Sequence, residues 1–285
     1  MSVEATTLSA AAPSRPQRGV REARTFDVLS ALARKLLPLA GIGLLLAVWQ
    51  LLAASGLYTV DQLPGPLDAL RASREVWAEG TLLPHVTASL ARFGSAYFAA
   101  VAVAVPLGLV FGLRPNLWRA ADPLIQVLRP ISPVAWFPLA VLWLGIGNLP
   151  AIAIIFVAAF YPALLATVAA VRRVDPVYLK VARNFGTSGP QLIFKVIVPA
   201  AFPQIAMGLR IAVGAAWVYL VAGEMLGART GLGFLIVDAR NFLRTDLILM
   251  AMVLIGAIGF VIDRGVAWLE RRLDARWGLL PEEHP

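Results

Sequence analysis

Long charge-free runs alternate with short polar stretches along this chain, and the runs are too long and too uniformly apolar to read as amphipathic elements of a soluble domain. Residues 36–54 carry no charge and suffice to cross roughly 30 Å of hydrocarbon as a helix. Residues 93–113 form a second clean run. Residues 130–171 contain no charged side chain. That is too long for one crossing and suits two, over about 123–145 and 149–171, with a turn at Gly145-Ile146-Gly147-Asn148. A fifth run covers 202–226, interrupted by Arg210 and Glu224, and a sixth covers 247–266. The pattern predicts an all-helical membrane protein of six transmembrane helices. Between the first two runs, residues 56–92 are amphipathic and of mixed charge, and the LPGP at 63–66 leads into a surface helix. Residues 1–35 are rich in Ala, Ser, Pro and Arg without apolar periodicity, the pattern of a disordered basic tail. The first apolar run begins too far in, and lacks a small-residue cleavage site, for a signal peptide. Residues 271–285 form a second short tail.

Composition agrees: 59% hydrophobic residues, 15% charged and a mean hydropathy of +0.75 exclude an ordinary soluble domain. The net charge of +8 informs through its location rather than through attraction to nucleic acid, which is not an expected partner. With the N-terminus inside, 17 basic residues fall on the inner side and 5 on the outer, leaving Arg92, Arg129 and Arg210 at or within the runs. The excess of Lys and Arg places both termini and the 172–199 loop in the cytoplasm. The absence of cysteine excludes disulfides and thiolate metal sites, and two distant histidines, His85 and His284, do not suggest a metal centre. None of the three lysines, Lys35, Lys180 and Lys195, follows a glycine, so the chain has no Walker A loop.

The 172–199 loop is the chain's most structured polar interruption. Asp175 before Pro176 is a helix start, an N-cap acceptor followed by a residue whose missing N–H is not needed. Gly186 suits the left-handed end of that helix. Ser188 is positioned to cap a second helix with Pro190 in its first turn, and Leu192, Ile193, Val196 and Ile197 then share one face. Pro199 marks the entry to the next apolar run. Two short helices at a bend, armed with Lys180, Arg183 and Lys195, make a shaped knob outside the bilayer.

This loop resembles the EAA loop of binding-protein-dependent ABC importer permeases, whose pattern is EAA, three residues, Gly, nine residues, then I-x-L-P. Lys180-Val181-Ala182 stands at the EAA position, Gly186 at the glycine and Val196-Ile197-Val198-Pro199 at I-x-L-P. Lys180 replaces the Glu and Val181 the first Ala, while the Gly-to-Pro spacing is intact. The flanking text, LRPISPVAWFPLAVLWLGIGNLP (128–150) and GLRIAVGAAWVYLVAGEMLG (208–227), is similar to the nitrate/sulfonate/taurine/bicarbonate branch of the family. The resemblance covers roughly residues 63–268. It implies a type I ABC importer permease fold and a subunit that makes and breaks no bond. The expected partners are a second copy of the chain, two cytoplasmic ATPases that hold ATP and Mg, an extracytoplasmic binding protein and the lipid bilayer. No cofactor is expected in the chain itself. The implied cargo is a small oxyanion moved by alternating access. A thiamine pyrimidine precursor carried by the same architecture and an ion-driven secondary transporter are the alternatives. The latter would need an internal repeat and an intramembrane titratable site; the sequence shows no clear repeat, and six spans with one cytoplasmic knob fit it poorly.

The resemblance implies that the loop residues Lys180, Val181, Ala182, Arg183, Gly186, Ser188, Lys195 and Pro199 couple the chain to the ATPase. Within the fifth run, Arg210, Trp217 and Glu224 recur every seven residues, nearly one helical face, with Gly214 close by. Intramembrane charges normally face a bundle interior or a watery cavity, so this stripe is a candidate for the translocation path or a dimer seam. The plainer reading puts Arg210 and Glu224 at opposite interfaces. Trp136 and Phe137, in a segment broken by Pro130, Pro133 and Pro138, and Tyr161 before Pro162 border the path on one reading and merely pack on the other. The glycine-rich stretch 227–241 and the 56–92 segment are candidate docking surfaces for the binding protein.

Overall fold

The computed structural model describes residue 37 and residues 39–276. The basic tail expected over 1–35 and the residues from 277 onward lie outside them. The described residues fall into two compact units that divide between residues 58 and 59. In the first, α1 (Leu39–Ala54) is an apolar helix whose Leu44, Leu45 and Leu51 are exposed. It is shorter than the roughly 20 residues of a full crossing.

The second unit is helical throughout its described length. It comprises α2 (Pro66–Ala78), α3 (Leu82–Leu113), α4 (Pro115–Leu128), α5 (Phe137–Leu144), α6 (Asn148–Arg172), α7 (Pro176–Asn184), α8 (Gly189–Leu192), α9 (Val198–Gly227), α10 (Leu232–Asn241) and α11 (Thr245–Arg276). Among the described residues four helical stretches are long and apolar enough to cross a membrane, α3, α6, the continuous Gly189–Gly227 stretch and α11, and the bent α4–α5 pair makes a fifth, against the six expected. The crossing expected over 123–145 is a broken one, as its prolines suggest. α4 and α5 meet at 87° across a short break. Pro130, Pro133 and Pro138 each withhold a backbone donor there, and Pro133–Trp136 tightens into a 3-10 turn. α3 also starts eleven residues before the apolar run at Phe93, because the polar residues of its first turns point into the protein.

The core is built around α6, which packs between α3 and α9. The contact depends on what is missing from it. Ala96, Ala100, Ala104, Gly108 and Gly112 recur every fourth residue along one face of α3, and the three alanines are fully buried. A Cβ on Gly108 would sit 2.6 Å from Cβ of Thr167, and one on Gly112 would sit 2.6 Å from Cβ of Val171. On the other side, a Cβ on Gly208 would overlap Ala166, and Gly223 faces the backbone of Ala151. Where lipid replaces water, burial of apolar surface does not drive helices together, and close backbone approach over small residues supplies the association. Trp217, Leu220, Ile155 and Leu164 fill the space these residues leave. Large apolar side chains such as Phe260, Val261, Met252 and Val253 of α11 remain exposed, as a hydrocarbon surround permits.

Substitution at the two kinds of glycine separates these effects. Gly208→Leu is expected to push α9 off α6 and abolish a monodisperse folded species on gel filtration in detergent. Gly214→Ala, whose added methyl meets nothing within 4 Å, is expected to hold or raise thermal stability, by about 0.5–1 kcal/mol of helix propensity.

Candidate functional site

Three features of the α6–α9 framework carry chemistry: a knob at one end, a cavity at mid-length and a buried ion pair at the other end.

The knob grows from the C-terminus of α6. Asp175 Oδ1 accepts the Val177 N–H at 2.8 Å and starts α7. α7 ends as a Schellman motif, with the Thr187 N–H on the Ala182 carbonyl at 3.0 Å and the Gly186 N–H on the Arg183 carbonyl at 2.9 Å. That geometry puts Gly186 at φ +77°, where a side chain is strained. The expected Ser188 side-chain cap does not form. Nor is there a free-standing second helix. α8 runs through a π-helical turn, Ile193–Ile197, straight into α9, and this wider turn absorbs the donor that Pro199 lacks. Leu179, Leu192, Ile193 and Ile197 pack against Val171, Ala201 and Ile205, so the knob is seated on the bundle. Its outer surface combines the exposed Lys180, Arg183 and Lys195 with apolar tips: Val181 is exposed, Phe185 is 84% exposed and Phe194 69%. Ala182 is half-buried.

The cavity holds about 560 Å³ between the α4–α5 break, α6 and α9, lined among others by Arg129, Val157, Tyr161, Gly208, Ile211 and Tyr219. Of the residues expected along a path, Tyr161 is here. Arg210 instead holds Asp263 of α11 with two 3.1 Å bonds and approaches Glu270 at 3.6 Å. Trp217 is buried, donates from Nε1 to the Ile255 carbonyl at 3.2 Å, and meets Phe93 edge-on at 5.4 Å. Phe137 packs on Gly227, where a Cβ would lie 2.5 Å from its ring. Trp136 holds its indole N–H buried without an acceptor among the described residues. The stripe at seven-residue spacing is thus three different packing roles, because α9 is surrounded by α3, α6, α10 and α11 rather than bordered by one cavity.

Glu224 belongs to the third feature. Its carboxylate is fully buried and meets Arg92 Nη1 at 2.5 Å. Ser89 donates to it at 2.8 Å and the Gly233 N–H at 2.9 Å. Arg92 spends its remaining donors on Asn148 Oδ1 (2.8 and 3.0 Å), the Thr230 carbonyl (2.8 Å) and the Thr230 hydroxyl (2.6 Å). Ser89 in turn accepts from the Leu232 N–H, and His85 Nδ1 from the Gly231 N–H. One network therefore ties α3, α6 and α9 to the turn before α10, within the 227–241 stretch. Nearby, Arg244 bridges Glu75 of α2 (2.8 Å) and Asp246 of α11 (2.9 Å). The hydrogen bonds from Arg244 hold the Glu75 carboxyl below its ordinary 4.5. The tether is therefore complete above the ordinary carboxylate range and is lost only as pH falls below it. Arg92 and its partners escape a sequence reading because Asn148 lies 56 residues from it, Glu224 132 and Thr230 138. The available signal was three arginines left over at the edges of apolar runs.

Among the described residues no group of three or more His, Asp or Glu could hold a metal. Residues 104–275 match the family of binding-protein-dependent transport system inner membrane components. The chain belongs to that family. This inner membrane component is 38% identical over 242 residues to the taurine transport system permease protein of Escherichia coli K12, covering 83% of this chain and 88% of that one. It is 37% identical over 250 residues to the bicarbonate transport system permease protein of Synechococcus elongatus, with the same coverage. These are relatives from the branch that the flanking text resembles. The fold is shared with the permease of the MetNI methionine ABC transporter in inward-facing form, at a TM-score of 0.54 and 22% identity over 66% of this chain and 97% of that one. The protein is a multi-pass permease subunit of an ABC transport system in the inner membrane, a transport subunit and not an enzyme.

The buried pair yields a stability test. Glu224→Ala leaves the Arg92 guanidinium buried without its counter-charge and is expected to cost about 3–5 kcal/mol. The double substitution Arg92→Leu with Glu224→Leu is expected to cost clearly less. Thermal unfolding in detergent, compared across the three proteins, measures both.

Proposed function

We propose that the chain is one of two identical membrane subunits of an importer for a small oxyanion: nitrate, bicarbonate, or an aliphatic sulfonate such as taurine. The observation that carries this reading is the likeness, along most of the chain, to permeases named for taurine and for bicarbonate. The knob supports the rest. Its exposed Phe185 and Phe194 would be costly in water with nothing to cover them, and suit a cleft in a cytoplasmic ATPase. The basic excess puts this end, with both termini, in the cytoplasm. Lys180 at the position usual for Glu calls for an acidic counterpart on the ATPase.

In this mechanism ATP closes the paired ATPases and draws the two knobs together. α6 leads to the knob through the short turn 173–175, and α9 leaves it as an unbroken helix from Gly189, so displacement reaches the α9 wall of the cavity without passing through a slack loop. The cavity opens outward and accepts cargo from a binding protein docked on α2 and α10. Hydrolysis then resets it inward. Nucleotide drives the cycle only through its unequal affinity for the two states.

Gly186→Leu tests the coupling. A side chain at φ +77° costs roughly 1–2 kcal/mol and re-aims the knob. The variant is expected to insert normally, to lose co-purification with its ATPase, and to lose uptake of labelled taurine, nitrate or bicarbonate into vesicles. Retention of both ATPase and uptake would remove the knob from the mechanism.

A further inference from the structure

Three arginines sit at or within the apolar runs, and the structure treats them differently. Arg92 is enclosed with Glu224, Asn148 and Thr230. Arg210 is neutralised by Asp263 and Glu270. Arg129 has no ion pair and no side-chain hydrogen bond among the described residues, and it borders the 560 Å³ cavity. Its position is set by the α4–α5 break. It caps the C-terminus of α4, where its N–H still reaches the Ile125 carbonyl at 2.9 Å, and the chain turns away immediately afterwards.

The cavity lies at mid-length of the bundle, and Arg129 is exposed at its edge. Tyr161, which lines it with Arg129, stands near the midpoint of α6, and Gly208 and Tyr219 span the middle of α9. The nearest acid in sequence, Asp122, sits two turns back on α4 and holds Gln126 at 3.4 Å. An unpaired guanidinium at membrane depth is costly and is kept where it meets water or a counter-ion. The remainder of the lining is mostly apolar, but Tyr161 and Tyr219 each bring a hydroxyl for which no hydrogen bond occurs among the described residues. A planar cation with several donors, two phenolic hydroxyls and apolar walls make a poor site for a metal cation or an amine. They suit a small anion with oxygen acceptors, the geometry a guanidinium matches in two-pronged fashion. Cationic side chains lining a narrow passage are also the general device by which pores select anions.

We propose that Arg129, with Tyr161 and Tyr219, forms an oxyanion-binding subsite inside the permease itself, so that the membrane subunit adds its own charge selection to that of the binding protein. This rests on the oxyanion reading above.

The natural chain has no cysteine, so Arg129→Cys places a single thiol in it. The test uses the full importer, with its ATPase and binding protein, in vesicles at matched amounts of assembled complex. Uptake of taurine, nitrate and bicarbonate is measured in turn. For the anion that the wild type imports, Arg129→Lys keeps the charge but not the two-pronged geometry and is expected to retain part of the uptake, above Arg129→Gln. Arg129→Gln and Arg129→Cys are expected to lose about tenfold or more, the scale of a hydrogen bond to a charged group. Treating the cysteine variant with a methanethiosulfonate bearing a primary ammonium, a cation with N–H donors, is expected to restore part of the uptake, and one bearing a sulfonate to leave it low. Unchanged uptake in Arg129→Cys, or equal effects of the two reagents, would overturn the subsite while leaving the oxyanion reading standing. A wild-type complex that imports none of the three anions removes both.

Discussion

The structure depends on how closely α3 and α9 approach α6. In hydrocarbon there is no gain from hiding one apolar surface against another, so helices associate where their backbones come near enough for dense contact. Gly108, Gly112 and Gly208 sit where a single methyl would collide with Thr167, Val171 or Ala166. That closeness holds α6 and α9 as one unit over their length, and α6 and α9 are also the helices that carry the knob, wall the cavity and reach the buried pair. Geometry at three sites is thus a consequence of one contact between small residues.

Charge is the second constraint, and it sorts scaffolding from site. A buried ion pair is weak evidence for stability in itself, but removing one member is heavily penalised, so a fully satisfied pair behaves as a clasp. Arg92 and Glu224 meet this condition: Arg92 places all three of its guanidinium nitrogens in hydrogen bonds, and the Gly233 N–H in the first turn of α10 closes the network on Glu224. Arg210 meets it in a more exposed setting, across to α11. Arg129 does not, and a charge that the fold leaves uncompensated in a cavity is available to a ligand. The same rule of electrostatics that makes two arginines structural makes the third chemical.

Much of this was legible in the sequence where the signal is local. The apolar runs gave the helices, the doublets Asp175-Pro176 and Gly186-Thr187 gave both ends of α7, and the loop pattern gave the family. The positions that resisted were of two kinds. Prolines at 130, 133 and 138 announced a broken segment, but a bend of 87° between α4 and α5 depends on what α6 and α9 offer to pack against. Ser188 and Pro190 suggested a separate short helix before Pro199, whereas a π-helical turn carries one helix through. The stripe Arg210–Trp217–Glu224 failed for a clearer reason. Periodicity tells which residues share a face, not which neighbour that face meets, and α9 meets different neighbours at each of its levels. Glu224 found a partner 132 residues away, and nothing local to either residue encodes that distance.

Coupling between the knob and the cavity follows from continuity rather than from a chain of side-chain contacts. A loop hinged at both ends would dissipate a push within its own backbone freedom. Here one side of the knob has no loop: from Gly189 the helix is unbroken to Gly227, past Gly208, Ile211 and Tyr219 at the cavity wall, to Glu224 in the buried pair. The other side is anchored by Leu179 against the cluster around Val171 and Ile197. A displacement of the knob must therefore tilt or translate α9 as a rod. The π-helical turn, with one extra residue in its ring, is the compliant point on that rod and lies at its base. In the proposed mechanism, tilting about that point would move the cavity wall while the buried pair holds the far end of α9.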